Sequence, residues 1–195
     1  MSLAENIERD GRRLRSADSR ARIVRAMLDL ISQGEVSPGA EPVAARAEVG
    51  LRTVFRHFKD MDSLYREMAQ VVGAQVRAAA AEPFLAKDAA GKLREFVERR
   101  SRVFETMGPF KRAMDVHRLR KGAFEIQSTE MVAELRAILR RELPARLTSD
   151  PLRFEALDLL LSFEAWSRLR FEQGLGIARA REVLVAAALR IADGA

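Results

Sequence analysis

The sequence predicts an all-α protein. Three observations carry that reading. Apolar residues recur at helical spacing along most of the chain, Gly and Pro fall between those runs, and no stretch alternates apolar with polar as a half-buried strand does. With 195 residues, 48% hydrophobic and 32% charged, the chain is long enough for one or two domains of amphipathic helices.

Residues 1–17 read as a flexible basic arm, with Arg9, Arg12, Arg13 and Arg15 among small and polar neighbours. Such an arm either follows a DNA backbone or minor groove or is a solvated tail. A first helix is expected from Ser19 to Gln33, carrying Ile23, Val24, Met27, Leu28 and Ile31 inward. Asp18 or Ser19 can cap its start and Gly34 suits its end. Arg20, Arg22 and Arg25 lie on its outer face. Glu35 to Gly39, with Pro38, reads as a loop.

Ala40 to Phe58 reads as a helix-turn-helix. A first short helix places Val43, Ala44 and Ala47 on one face, and Ala44 is small enough for a steep crossing. The turn falls at Glu48, Val49 and Gly50. A second helix, Leu51 to Phe58, turns Val54 and Phe58 inward and leaves Leu51, Arg52, Thr53, Arg56 and His57 outward. Phe55 divides between core and surface. Gly50 can act as N-cap, leaving backbone amides for a phosphate. The outward set suits a helix lying in a major groove, since Arg pairs bidentately with guanine and Thr reaches either a base or a phosphate.

Asp60 or Asp62 then caps a fourth helix with Leu64, Tyr65, Met68, Val71, Val72 and Val76 inward. The chain divides within it, giving a DNA-binding domain over 18–70 and a second helical domain over 71–195. In the latter, one helix carries Leu93, Phe96, Val97, Arg100, Val103, Phe104 and Met107 up to a break at Gly108-Pro109. A short helix with Phe110, Met114, His117 and Leu119 ends near Lys121-Gly122, and another carries Phe124, Met131, Leu135, Ile138, Leu139 and Leu143.

The last two helices are the most apolar. One is expected from Pro151, in the first helical position after an Asp150 cap, to Glu172. Its leucines cover nearly the whole circumference, which demands burial on more than one side. The final helix spans Arg179 to Ala192. Leu157, Leu160, Leu161, Leu184, Ala187 and Ile191 are therefore expected at a homodimer interface, the other reading being a bundle closed within one chain.

Ala47, Val49, Thr53, Val54, Phe55, His57 and Phe58 match the helix-turn-helix pattern of the tetracycline-repressor (TetR) family of transcriptional regulators, which this chain resembles over roughly Ser19 to Leu64. Five positions depart from the pattern, the first being Ala40 where a Ser or Thr cap is usual. Glu48 stands where the family prefers Gly, Gly50 where Ser is usual, Met61 where a phosphate-binding Lys is common, and Phe55 where Tyr is common. The resemblance implies an N-terminal three-helix domain and a C-terminal helical domain for ligand binding and dimerisation. It implies DNA contacts from Gly50, Leu51, Arg52, Thr53, Phe55, Arg56, His57, Lys59 and Arg20. It also implies an effector cavity among the middle helices, for which Phe104, Met107, Met114, His117, Phe124, Trp166 and Arg170 are candidates, with ordinary core as the other reading.

Enzyme chemistry has little to work with. The chain holds 2 His and no Cys, so a metal or nucleophile site is hard to assemble, and no Gly-rich phosphate loop is present. No cofactor is expected. The net charge of +6 favours a polyanionic partner. No apolar run approaches the ~20 residues that span a membrane, and the N-terminus lacks a secretory core. The expectation is a cytoplasmic, ligand-responsive repressor binding a palindromic operator as a dimer. A helical interaction module without DNA binding and a non-specific architectural DNA-binding protein are the alternatives.

Overall fold

A computed structural model describes the backbone of residues 3–120 and 129–194, and the side chains of residues 16–120 and 131–194. Among the described residues the fold is all-helical. α1 is Leu3–Ser32, α2 Ala40–Arg46, α3 Leu51–His57, α4 Met61–Ala80 and α5 Ala89–Arg120. α6 is Thr129–Glu142, α7 Ala145–Thr148, α8 Pro151–Leu160, α9 Phe163–Ser167 and α10 Ile177–Asp193. A π-helical turn, Arg168–Glu172, extends α9. No helix among the described residues is long and apolar enough to cross a membrane.

The chain forms two compact units. One comprises Met1–Val72 and Pro109–Phe124, the other Gly73–Gly108 and Glu125–Ala195. A single boundary near residue 70 was expected; instead the end of α5 from Pro109 onward belongs to the N-terminal unit. Pro109 sits at that division, inside a helix that continues through it. A proline there removes one backbone hydrogen bond but does not end the helix, contrary to the break expected at Gly108-Pro109.

In the N-terminal unit, α1 is helical from Leu3, so the segment expected as an arm continues the first helix. The side chains of Arg9, Arg12, Arg13 and Arg15 lie outside the described residues. Ile23, Met27 and Ile31 of α1, Val43 and Ala44 of α2, Val54 of α3, and Leu64, Tyr65 and Met68 of α4 share one buried cluster. Ala113 of α5 joins them. α1 ends as its glycine suggests: Gly34 has φ 100°, its amide donates to the Ile31 carbonyl, and the Glu35 amide donates to the Leu30 carbonyl. Those two bonds are the Schellman pattern. Asp60, not Asp62, caps α4, accepting from the Ser63 amide at 2.8 Å.

In the C-terminal unit, Leu93, Phe96, Val97 and Phe104 of α5 pack with Leu139 of α6, Leu147 of α7, Phe154 and Leu157 of α8, and Trp166 of α9. α10 adds Ala180, Leu184, Ala188 and Ala192, four positions on one helical stripe. The Asp150 cap and Pro151 are where the sequence suggests, with Asp150 Oδ1 accepting from the Leu152 and Arg153 amides.

The expected single helix from Pro151 to Glu172 is two. α8 stops at Leu160, and Ser162 caps α9 by accepting from the Ala165 amide at 3.1 Å. The chain's own packing accounts for Leu157 and Leu161 without a partner chain. Leu157, Leu161 and Leu184 are 0%, 1% and 4% exposed inside the protomer. They cannot form the dimer interface expected of them. Leu160, Ala187 and Ile191 are half-buried, whereas Leu152 and Leu159 are 83% and 68% exposed.

Candidate nucleic-acid interface

α3 is held by its own two large inward residues. Val54 is 0% exposed and Phe58, just past the helix, 1%. Leu51, Arg52, Phe55 and Arg56 consequently face solvent, with Thr53 and His57 half-buried at the flanks and Lys59 exposed beyond. One short helix thus carries two guanidiniums and two apolar side chains on its free face.

The turn that presents α3 is built from backbone bonds. The Glu48 amide donates to the Ala45 carbonyl at 3.2 Å and the Val49 amide to the Ala44 carbonyl at 3.0 Å. Glu48 has φ 53°, the left-handed conformation that this closure of α2 requires. A glutamate there is strained relative to glycine. Gly50, by contrast, has φ −69° and ψ 149°, and a Cβ on it meets nothing within 4 Å. The flexibility that Gly50 offers is not used.

Arg20, expected to touch phosphate, is engaged inside the unit. Its Nε lies 2.9 Å and 3.0 Å from the two Glu67 carboxylate oxygens, and Nη1 donates to the His57 carbonyl at 2.6 Å. The guanidinium also lies 4.3 Å from the Phe58 ring centre. Arg20 therefore ties α1 and α4 to the C-terminal end of α3. His57 has its pKa lowered, by burial first and then by Arg56 and Arg20, so its ring is neutral near pH 7. Its Nε2 is buried with no hydrogen-bond partner among the described residues.

The described residues expected to line an effector cavity divide between the two units, with Phe104, Met107 and Trp166 sharing the C-terminal core and Met114 and His117 in the N-terminal unit. His117 bonds Asp62 and stacks on Tyr65 with centroids 3.9 Å apart, and Met114 packs on the same N-terminal core. In the C-terminal unit Trp166 is fully buried, its indole Nε1 donating to Glu105 at 2.8 Å. Arg170 holds the same carboxylate through Nε at 2.8 Å and Nη2 at 3.1 Å. Met107 is half-buried against the core. Trp166, Arg170 and Glu105 are thus a packed, charge-matched network. Phe124 lies outside the described residues.

A cleft of about 430 Å³, its open mouth included, lies elsewhere in the C-terminal unit. Val76, Phe84, Phe96, Phe104, Leu135 and Ile138 supply most of its apolar wall. Of the expected pocket residues that are described, only Phe104 belongs to it. Arg99 closes one side, lying 4.1 Å from the Phe84 ring centre and paired with Glu95 at 2.9 Å. Arg100 lines the interior, 8% exposed. The sequence carried a signal for it: an arginine in the inward register of Phe96, Val97, Val103 and Phe104. Comparison with protein-family models, curated proteins and solved structures found no match to this chain.

Proposed function

We propose that this chain is a sequence-specific DNA-binding transcriptional regulator, most plainly a ligand-responsive cytoplasmic repressor of the kind the TetR family exemplifies. The observation that carries the reading is the free face of α3. Arg52 and Arg56 project from a helix fixed by Val54 and Phe58, after a tight turn from a second short helix. That is the arrangement a helix-turn-helix needs to put side chains on base edges while its partner helix braces it. The positive net charge supports a phosphate-lined partner.

In this reading a homodimer spans two half-sites of a palindrome. The outward face of α8, with Leu152 and Leu159, is the better candidate for self-association, because Leu157, Leu161 and Leu184, first assigned to it, are core. The apolar cleft of the C-terminal unit receives the effector. Binding there favours a state whose reading heads no longer match the operator.

One observation favours a second reading. Leu51 and Phe55 are 39% and 47% exposed on the same α3 face, which also suits a protein-docking surface. A gel-shift series decides between them. Random DNA is selected for binding, and the enriched sequence is then competed with specific and scrambled duplexes. Enrichment of an inverted repeat that only the specific duplex competes supports the regulator. Equal competition supports a non-specific DNA binder, and no binding supports the interaction module.

A further inference from the structure

Arg100 is a cation buried in an apolar wall without an acidic partner of its own. Nη1 donates to the Leu161 carbonyl at 2.8 Å and Nη2 to the Leu135 carbonyl at 2.9 Å. Among the described residues no carboxylate pairs with it. The acid that acts on it at longer range is Asp158, itself bonded to Arg136 at 2.6 Å. Burial pushes the Arg100 guanidinium down to about 10, against a weaker opposing pull from Asp158, so it remains charged at neutral pH. Two carbonyl dipoles orient such a charge but do not neutralise it. A buried charge is expensive unless it is paired, and the cleft that Arg100 lines is where a counter-charge can enter.

The lining of the cleft narrows the choice. Its walls are the rings of Phe84, Phe96 and Phe104 with Val76, Leu135 and Ile138, around a space of about 430 Å³ with the open mouth included. The wall between these rings is apolar, which suits a hydrocarbon chain. Val76, Ala80, Leu135 and Ile138 also line an adjoining, wider groove of about 680 Å³ that includes open solvent. A chain can therefore lie along apolar wall from the cleft toward the mouth. One buried positive charge matches one negative charge; a dianionic headgroup brings a second charge with no buried cation to meet it, since Arg99 is already paired with Glu95.

We infer that the cleft binds an aliphatic monocarboxylate, its carboxylate against Arg100 and its chain along the wall formed by Phe96, Phe104, Leu135 and Ile138. For its regulatory meaning this rests on the ligand-responsive reading above, but the binding itself is tested without DNA.

The protein is titrated calorimetrically with decanoate, decan-1-ol and decyl phosphate. Decanoate should bind about 10- to 100-fold more tightly than the alcohol, the range expected of a charge-assisted bond in a buried site. Decyl phosphate should be weaker than decanoate. Equal affinity for acid and alcohol overturns the proposal. Arg100→Met should erase the preference for the acid, and Arg100→Lys should retain part of it. Arg100→Met also strips the Leu135 and Leu161 carbonyls of a donor; where it fails to fold, the acid–alcohol comparison on the native protein still decides. Ala79→Trp, which fills the cleft from its lining, should abolish binding of both, and intact decanoate binding in that variant places the site elsewhere and overturns the proposal. A protein that binds decanoate yet never shifts DNA keeps this inference and sinks the regulator. A protein that shifts DNA but treats decanoate and decanol alike does the reverse.

Discussion

Arg20 and Glu67 grip each other across 47 positions of sequence, the arginine Nε lying 2.9 Å from one carboxylate oxygen and 3.0 Å from the other. The same guanidinium reaches the His57 carbonyl, so the pair fixes the end of α3 against α1 and α4. Arg20→Ala should lower stability by roughly 1 kcal/mol, the value of a charge-assisted bond discounted for partial exposure. If the regulator reading holds, it should weaken DNA binding by misplacing α3 while leaving the salt dependence unchanged. A phosphate contact would reduce the slope of log K against log salt by about one when removed. A reduced slope in Arg20→Ala would return Arg20 to the phosphate-binding set.

Arg56 is exposed on the free face of α3. Arg56→Ala should cost about 1–3 kcal/mol on a selected operator and much less on random DNA if it pairs with a base. Lys59→Ala should weaken both duplexes alike, as a phosphate contact does. Competition titrations at two salt concentrations separate these outcomes.

Glu48 occupies a left-handed position at φ 53°. Glu48→Gly should therefore raise stability by about 1 kcal/mol, the relief of the left-handed strain less the entropy that glycine adds to the unfolded chain. The measurement is the denaturant midpoint at constant m-value. No gain would mean that the glutamate side chain contributes to the turn.

What the sequence disclosed and what it hid differ for physical reasons. Val54 and Phe58, Gly34, and the Asp150-Pro151 start were legible because each depends on its near neighbours: helical period, a left-handed end, a side-chain cap. Pro109 misled because the rest of α5 offsets a single missing hydrogen bond. Ser162 was overlooked because one polar residue in a leucine-rich run does not announce a helix break, although its hydroxyl supplies the cap for α9. From that error came the assignment of Leu157 and Leu161 to a partner chain. Which face of α8 is covered by α10 and which stays bare is settled by packing between distant segments. The apolar cleft was likewise invisible, since its walls come from α4, α5, α6 and the loop bearing Phe84.

His57 is held neutral by burial and by two neighbouring arginines, its pKa lying below the ordinary histidine value. The unfolded chain therefore binds a proton that the folded one resists. Its contribution to stability is complete above the unfolded value near 6.5 and is lost as pH falls through that value toward the depressed one. His57→Gln should flatten this part of the stability profile between pH 7 and 5. An unchanged profile in the variant would assign the acid sensitivity to other groups.

The outward leucines of α8 give the sharpest test of self-association. Leu152 and Leu159 stand two helical turns apart on one face and are 83% and 68% exposed, while Leu157 is fully buried. In a monomer, Leu159→Glu would be a surface change of less than about 0.5 kcal/mol. In a dimer that covers this face, it would bury two unpaired carboxylates about the symmetry axis and should dissociate the subunits. Leu157→Glu should behave differently, placing a charge in the protomer core at a cost on the order of 4 kcal/mol and unfolding the C-terminal unit. Sedimentation equilibrium at micromolar concentration, with far-UV circular dichroism on the same samples, distinguishes the two. The expected result is a folded monomer for Leu159→Glu and lost helicity for Leu157→Glu. If the regulator reading holds, operator affinity should fall as Leu159→Glu dissociates the dimer, because one reading head then meets a single half-site. A Leu159→Glu protein that stays dimeric rules out this face as the interface, and a wild type that sediments as a monomer rules out the dimer itself.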